Sequence, residues 1–361
     1  MIRFVQFCDI VSPHQMPLAR ELASRFGSGE YLYLYTEASQ VTRANLGWEL
    51  KSGEDWCQLT DFNDSRLLEC ECLLTGFRLP GLFRKRAEKG LRTFYMSERW
   101  FKPPIGMVRL LHPGFLKMAI RMVRLLKSDP SVVYLPMGVH AQKDMLRLGV
   151  PLSKMLPWGY FVAPSKSPLR GPPQDGPGSC LDEVKILWVG RMLKLKCVDT
   201  LVRAVAEANE LLRGLKQRSI SLTLVGDGPE KSNLIRLAES LNLQESVISF
   251  LPSVPISRVR DLMQKHDVYV FPSNGRDGWG AVVSEALEEG MLVLGSNEAG
   301  ATATILPSTH RFNCHDHRRL AKLLVEAVSG RLAHTPIGEW TAAKAADRLM
   351  ARIGQNLNGM G

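Results

Sequence analysis

The sequence predicts an α/β protein built from two halves, each a parallel sheet with helices on both faces. Three observations carry that prediction. Short apolar runs alternate with longer segments of helical periodicity along most of the chain, which is the pattern of strand–helix–strand units. The 361 residues are enough for two domains of ordinary size. Near the middle, the proline- and glycine-rich stretch APSKSPLRGPPQDGPGS (163–179) has no hydrophobic periodicity and reads as a linker.

Taken in order, RFVQFCDIV is a first strand, HQMPLARELASRF the helix after it and EYLYLYTE the second strand. CECLLTG, RTFYMSER and SVVYLPM follow as apolar strands, each trailed by a helix-like segment. Beyond the linker, VKILWVGR, SLTLVGDG, VISFLP, DVYVFPS and MLVLGSN are strands separated by helices such as DTLVRAVAEANELLRGL. These are two Rossmann-like domains expected to face a cleft. GEWTAAKAADRLMARIGQNL is one amphipathic helix with no sheet left to join, and is expected to pack across the interdomain junction. The expected boundaries are 1–162 for the first domain, 163–182 for the linker, 183–335 for the second domain and 336–361 for the closing helix and tail. No internal repeat is present.

Composition narrows the class. The chain is 45% hydrophobic and 23% charged, with seven scattered cysteines. That number and spacing suit a reducing compartment better than a disulfide framework. MIRFVQFCDIVS lacks a small-residue cleavage site and reads as a strand, and no apolar run reaches the roughly 18 residues of a membrane span. A cytoplasmic protein is expected. The net charge of +10 is concentrated: twelve Lys or Arg against two Glu between Arg84 and Lys127 supply the whole excess. From Phe115 to Lys127 the basic residues recur at spacings of three and four, mixed with Leu, Ile, Met and Phe. Residues 100–127 are therefore expected to rest on an anionic membrane surface, at the inner face of the cell membrane. The plainer reading is a packed helix with a solvated basic face. Zinc-finger spacings and aromatic RNA-reading motifs are missing, which argues against nucleic acid.

In parallel sheets, ligands bind beyond the carboxyl ends of the strands, at helix N-termini. Four such loops in the second half are equipped. Gly190-Arg191 follows ILWV, with Lys196 five residues on; Gly226-Asp227-Gly228-Pro229 follows LTLV; RDGWGAVVSEALEEG (276–290) follows VYVFPS; Ser296 to Gly300 follows LVLG. Arg191 and Lys196 beside open helix N-termini make a diphosphate site, with two cations standing where other enzymes use a metal. Asp277 and Glu285, around Gly278-Trp279-Gly280, allow a general acid and base, a metal site, a sugar clamp, or a helix-cap acid and a solvated one. Eight residues of helix rise about 12 Å, too far for the two carboxyls to share a proton. CHDH (314–317) suggests a metal, but Asp316 is better read as the N-cap of RRLAKLLVEAV, with surface histidines beside it.

GRMLKLKCVDTL, LVGDGP, VYVFPS and DGWGAVVSEALEEG resemble the C-terminal domain of family 4 (group 1) glycosyltransferases, most strongly over 184–326. HQMPLARELA, RTFYMSERWF, WGYF and EWTAAKAADRLM are similar to a subgroup that makes bacterial polysaccharides and glycolipids. The resemblance implies the GT-B fold and transfer of a sugar from a nucleoside diphosphate sugar to a glycan or lipid-linked acceptor, with retention and without a metal or other cofactor. It implies that Arg191 and Lys196 stabilise the departing diphosphate, that Asp277 touches the sugar and that Glu285 holds the ribose. Gly190, Gly226, Gly228, Gly278, Trp279 and Gly280 would line the donor. Asp277 stands where the family commonly has Glu, and Cys197 where Gly is usual. On the acceptor side His14, Glu98, Arg99 and His140 are the candidates. A sugar-nucleotide epimerase of the same fold, or a membrane scaffold that binds donor without turnover, are the alternatives. A dehydrogenase is disfavoured, since no G-x-G-x-x-G follows the first strand.

Overall fold

A computed structural model of the chain describes residues 2–27, 29–36, 53–165 and 183–354. They divide into two compact units, one of Met1–Ala163 with Glu339–Gly361, the other of Pro164–Gly338. Most of the expected linker, 166–182, and the end of the tail, 355–361, lie outside the described residues.

The first unit runs β1 (Phe4–Cys8), α1 (Met16–Phe26), β2 (Tyr31–Tyr35), β3 (Cys57–Leu59), α2 (Arg66–Glu69), β4 (Cys72–Thr75), α3 (Pro80–Glu88), β5 (Arg92–Ser97), α4 (Pro113–Ser128), β6 (Val132–Pro136) and α5 (Val139–Arg147). Every strand pair is parallel, in the order β3-β2-β1-β4-β5-β6. FVQFC, YLYLY and VVYLP are buried throughout because helices cover both faces, so these strands read as near-continuous apolar runs, broken in β1 by Gln6, which accepts from the Tyr31 hydroxyl at 3.0 Å. One of the twelve clustered cations is internal: Arg86 is buried and donates to the carbonyls of Leu67 (2.8 Å) and Arg92 (2.7 Å) and to the Thr93 hydroxyl (3.0 Å).

The second unit runs β7 (Val184–Val189), α6 (Val198–Gly214), β8 (Ile220–Val225), α7 (Lys231–Ser240), β9 (Ile248–Leu251), α8 (Ile256–Met263), β10 (Val268–Phe271), α9 (Ala281–Glu288), β11 (Leu292–Ser296), α10 (Gly300–Ile305), β12 (Arg311–Phe312) and α11 (His317–Val328). Its sheet is also parallel, ordered β12-β11-β10-β7-β8-β9. Trp188, Leu201, Val205, Leu222, Leu294, Leu320 and Leu324 belong to its core. In each unit the strand order reverses once, between β1 and β4 and between β7 and β10. At such a switch point neighbouring loops diverge to opposite faces and leave a crevice.

The closing helix, α12 (Ala342–Gly354), belongs to the first unit rather than forming a segment of its own. It packs on α1, burying Ala342, Ala345, Ala346 and Leu349. Arg25 of α1 pairs with Asp347 at 2.5 Å and donates to the Ala343 carbonyl at 3.2 Å. The short edge strands β3 and β12 were not expected from the sequence.

Candidate functional site

At the β7/β10 switch point the structure brings together two of the predicted residues, Lys196 and Asp277. The loop after β7 ends in a 3-10 turn, Lys194–Lys196, and the loop after β10 carries Asp277. The Asn274 amide donates to the Leu195 carbonyl at 2.9 Å, tying the two loops. Lys196 Nζ then meets Asp277 Oδ2 at 2.5 Å, with both side chains about four-fifths shielded (20% and 17% exposed). Lys196 also lies over the Phe271 ring, 5.4 Å from its centroid. Arg191 stands on the same loop and is exposed. The sequence placed Lys196 and Asp277 at different parts of one ligand; it held no sign that they pair.

The glycines explain how the loops come so close. A Cβ on Gly226 (φ +138) would overlap the Gly190 carbonyl, and one on Gly228 would lie 2.5 Å from the Met192 carbonyl oxygen. These contacts zip the β7 and β8 loops together, with Met192 N donating to Asp227 O at 2.8 Å and Glu230 N to Met192 O at 3.0 Å. Gly280, left-handed at φ +88, caps α9, and a Cβ there would sit 2.7 Å from the Phe271 ring. Gly278 and Trp279 lend their carbonyls to the amides of Gly300 (3.1 Å) and Ala301 (2.8 Å) at the start of α10. Trp279, expected to line the donor, is 1% exposed, with its indole nitrogen donating to Ser284 Oγ at 3.4 Å. A large apolar ring is worth more inside the domain than on its surface, so Trp279 anchors the turn.

Glu285 lies one turn into α9. Burial pushes its carboxyl up to about 7, against the opposing pull of Arg260, while Glu289 raises it further. Burial holds the Tyr269 phenol well above its ordinary value, and the charges of Glu285 and Asp277 raise it further.

In the first unit a cavity of about 480 Å³ opens beyond β1, β4 and β5, at that sheet's own switch point. Glu98 and Arg99 line it, as do Asp9 and Arg78, which the sequence had not singled out, Tyr160 of the WGYF motif, and Lys102 and Arg109, which the sequence had assigned to the basic segment 100–127. Glu98 pairs with Lys102 at 2.6 Å, and Arg99 lies 4.0 Å from the buried Asp144, which also accepts from the Phe101 amide at 3.0 Å. His14 stands beside the cavity, its ring centroid 6.0 Å from that of Tyr160. His140, in the first turn of α5, is not among the lining residues.

α4 departs in one respect from a helix with a cationic and an apolar side. Phe115, Ala119, Met122 and Leu126 are buried, and the exposed face mixes Lys117, Arg121, Arg124 and Lys127 with Leu116 (40% exposed) and Ile120 (51%). The preceding turn exposes Ile105 (60%), Val108 (64%) and Leu111 (80%). Among the described residues no helix is long and apolar enough to cross a membrane. Asp316 caps α11 as expected, accepting from the Arg319 amide at 2.9 Å. Among the described residues one His/Cys/Asp/Glu group is close enough to hold a metal: Cys197, Cys314 and His315.

Residues 177–336 match the family model of glycosyl transferases group 1. A D-inositol 3-phosphate glycosyltransferase of Nocardia farcinica is 35% identical over 126 residues, which cover 33% of this chain but only 27% of that protein. Among solved structures, the lipopolysaccharide outer core galactosyltransferase WaaB in its apo form superposes with a TM-score of 0.68 at 11% identity, covering 98% of this chain and 100% of that one. Anabaena HepE in complex with UDP gives 0.64 at 13% identity, covering 99% of both chains. At such identities the likeness is one of fold: two parallel-sheet units with the GT-B topology.

Proposed function

From the premise that residues 177–336 belong to the group 1 glycosyl transferases, we propose that this chain moves a glycosyl group from a nucleoside diphosphate sugar to a glycan or lipid-linked acceptor. The observation that carries the reading is the meeting of Lys196 and Asp277 at the β7/β10 switch point. A cation and a carboxylate held within 2.5 Å of each other present to a sugar diphosphate the two charges it needs. Lys196 and the nearby Arg191 face the diphosphate, and the amide ends of α6 and α9 add partial positive charge. Asp277 accepts hydrogen bonds from the sugar, and Glu285 from the ribose. Stabilising the departing diphosphate with fixed cations, in place of a metal, lowers the barrier where charge develops. Retention follows if the acceptor attacks on the leaving-group face and the diphosphate takes its proton.

The acceptor belongs in the first-unit cavity. Arg78, Arg99, Lys102 and Arg109 outnumber Asp9 and Glu98 there, which supports an acceptor bearing phosphate or another anion. The basic and apolar face of α4 supports a lipid-linked one and a place on the inner surface of the cell membrane, in cell-surface polysaccharide or glycolipid synthesis.

The test is a thermal-shift series with UDP, GDP, ADP and CDP sugars in the presence of chelator, followed by assay of nucleotide release with a bacterial membrane-lipid extract as acceptor. One nucleotide family should raise Tm and release its nucleotide. No shift with any donor overturns the reading, and a shift without release favours a chain that binds donor but keeps the Lys196–Asp277 pair shut.

A further inference from the structure

The second unit holds a cluster of soft ligands that glycosyl transfer does not use. Cys197 immediately precedes α6, and Cys314 and His315 lie on the turn between β12 and α11. The two sulfurs and an imidazole nitrogen lie within 4.8 Å of one another. Both thiols are buried, and His315 is exposed. Thr200 fixes both cysteine backbones: its hydroxyl donates to the Cys314 carbonyl at 2.8 Å and its amide to the Cys197 carbonyl at 3.1 Å. The Glu298 carboxylate stands beside the Cys314 thiol and is itself held by the Gly275 amide at 3.1 Å.

The backbone supplies an independent observation. Cys197 is left-handed, with φ 48° and ψ 39°. A side chain there costs roughly 1–2 kcal/mol, and glycine is the default. The Cys197 thiol donates towards the Lys194 and Leu195 carbonyls, both at 3.7 Å, and meets the Cys314 thiol. The backbone geometry alone would favour glycine, so what the side chain contributes here is its sulfur, set against that of Cys314.

We propose that Cys197, Cys314 and His315 bind a thiophilic divalent cation of the zinc class, with Glu298 or water as fourth ligand. Tetrahedral zinc takes sulfur at about 2.3 Å and nitrogen at about 2.0–2.1 Å, which places ligand atoms ~3.7 Å apart. Closing the observed spread onto a cation takes side-chain movements of about 1 Å or less. Thiolates and imidazole select against hard cations such as magnesium. Each thiol releases its proton to solvent as it ligates. The cation would clamp the start of α6 to the start of α11 and stiffen the loop that carries Lys196, without touching substrate.

The test uses the full chain, reduced, stripped with chelator, desalted and titrated with Co²⁺ alone, with no donor or acceptor present. The expected result is a thiolate-to-cobalt charge-transfer band and intense tetrahedral visible bands, saturating at one cobalt per chain and bleached by Zn²⁺. Cys197→Gly suits the left-handed backbone, so it should stay folded and abolish the charge-transfer band; Cys314→Ser should abolish it too. His315→Ala should weaken binding at least tenfold, and Cys57→Ser, in β3 of the first unit, should leave it unchanged. No charge-transfer band in the unaltered protein, or a band that survives Cys197→Gly, overturns the proposal. So does a Cys197–Cys314 disulfide formed under oxidant in a protein that takes no cobalt when reduced.

Discussion

The 2.5 Å ion pair between Lys196 and Asp277 gives each side chain a second partner to choose once a sugar diphosphate arrives. Removing the amine as Lys196→Ala should cut turnover by roughly 10²-fold or more, from the lost stabilisation of the leaving diphosphate. Steady-state kinetics checks this, and an unchanged kcat would remove Lys196 from that role. Glu285 supplies a pH signature. Its carboxyl ionises at about 7 in the folded chain against an ordinary 4.5, so the folded state keeps a proton that the unfolded state gives up between those values. The resulting stability is complete below pH 4.5 and is lost as pH rises through about 7. Glu285→Gln should therefore raise the stability of the unliganded protein above pH 7 by about 1–3 kcal/mol, measured by denaturant unfolding. Binding of a nucleoside diphosphate sugar should tighten from pH 6 to 8 in the unaltered chain and stay flat in the variant. Arg191, Lys196 and Asp277 could be singled out because charged residues in the loops past strand ends have few structural reasons to be there, whereas Glu285, inside α9, was singled out only by its spacing from Asp277. The Lys196–Asp277 pair and the Cys197–Cys314–His315 group were not, because each joins loops brought together only by sheet order.

At the scale of elements, the long strands could be read because burial on both faces leaves no polar alternation to confuse. β3 (CQL) and β12 (RF) could not, being two or three residues long, half-exposed and partly polar at the sheet edges. α4 was legible as amphipathic, but spacing alone did not show that Leu116 and Ile120 share the outer face with the cations. That mixture makes two separate expectations about vesicles. Changing Lys117, Arg121, Arg124 and Lys127 together to Gln should lower partitioning to anionic vesicles by on the order of 10²-fold or more, from about 1 kcal/mol per charge. Leu116→Ser with Ile120→Ser should weaken the salt-resistant part of binding, read by co-sedimentation at high salt. Equal sedimentation of all forms would remove α4 from membrane contact.

On the scale of the whole molecule, the net charge of +10 and its concentration between residues 84 and 127 make any anionic-surface association depend on ionic strength, because exposed charges are screened within about 8 Å at physiological salt. Vesicle binding should therefore fall steeply between low and physiological salt. The two units differ in how the chain builds them. The second is one continuous segment, Pro164–Gly338, while the first needs Glu339–Gly361 to return and cover α1. On the ribosome this reverses the order of the text. The half translated second can finish first, and the half translated first must wait with the apolar side of α1 bare until α12 emerges. A released chain ending at residue 338 should already protect its second half from protease while its first half is still cut, and restoring residues 339–361 should seal both.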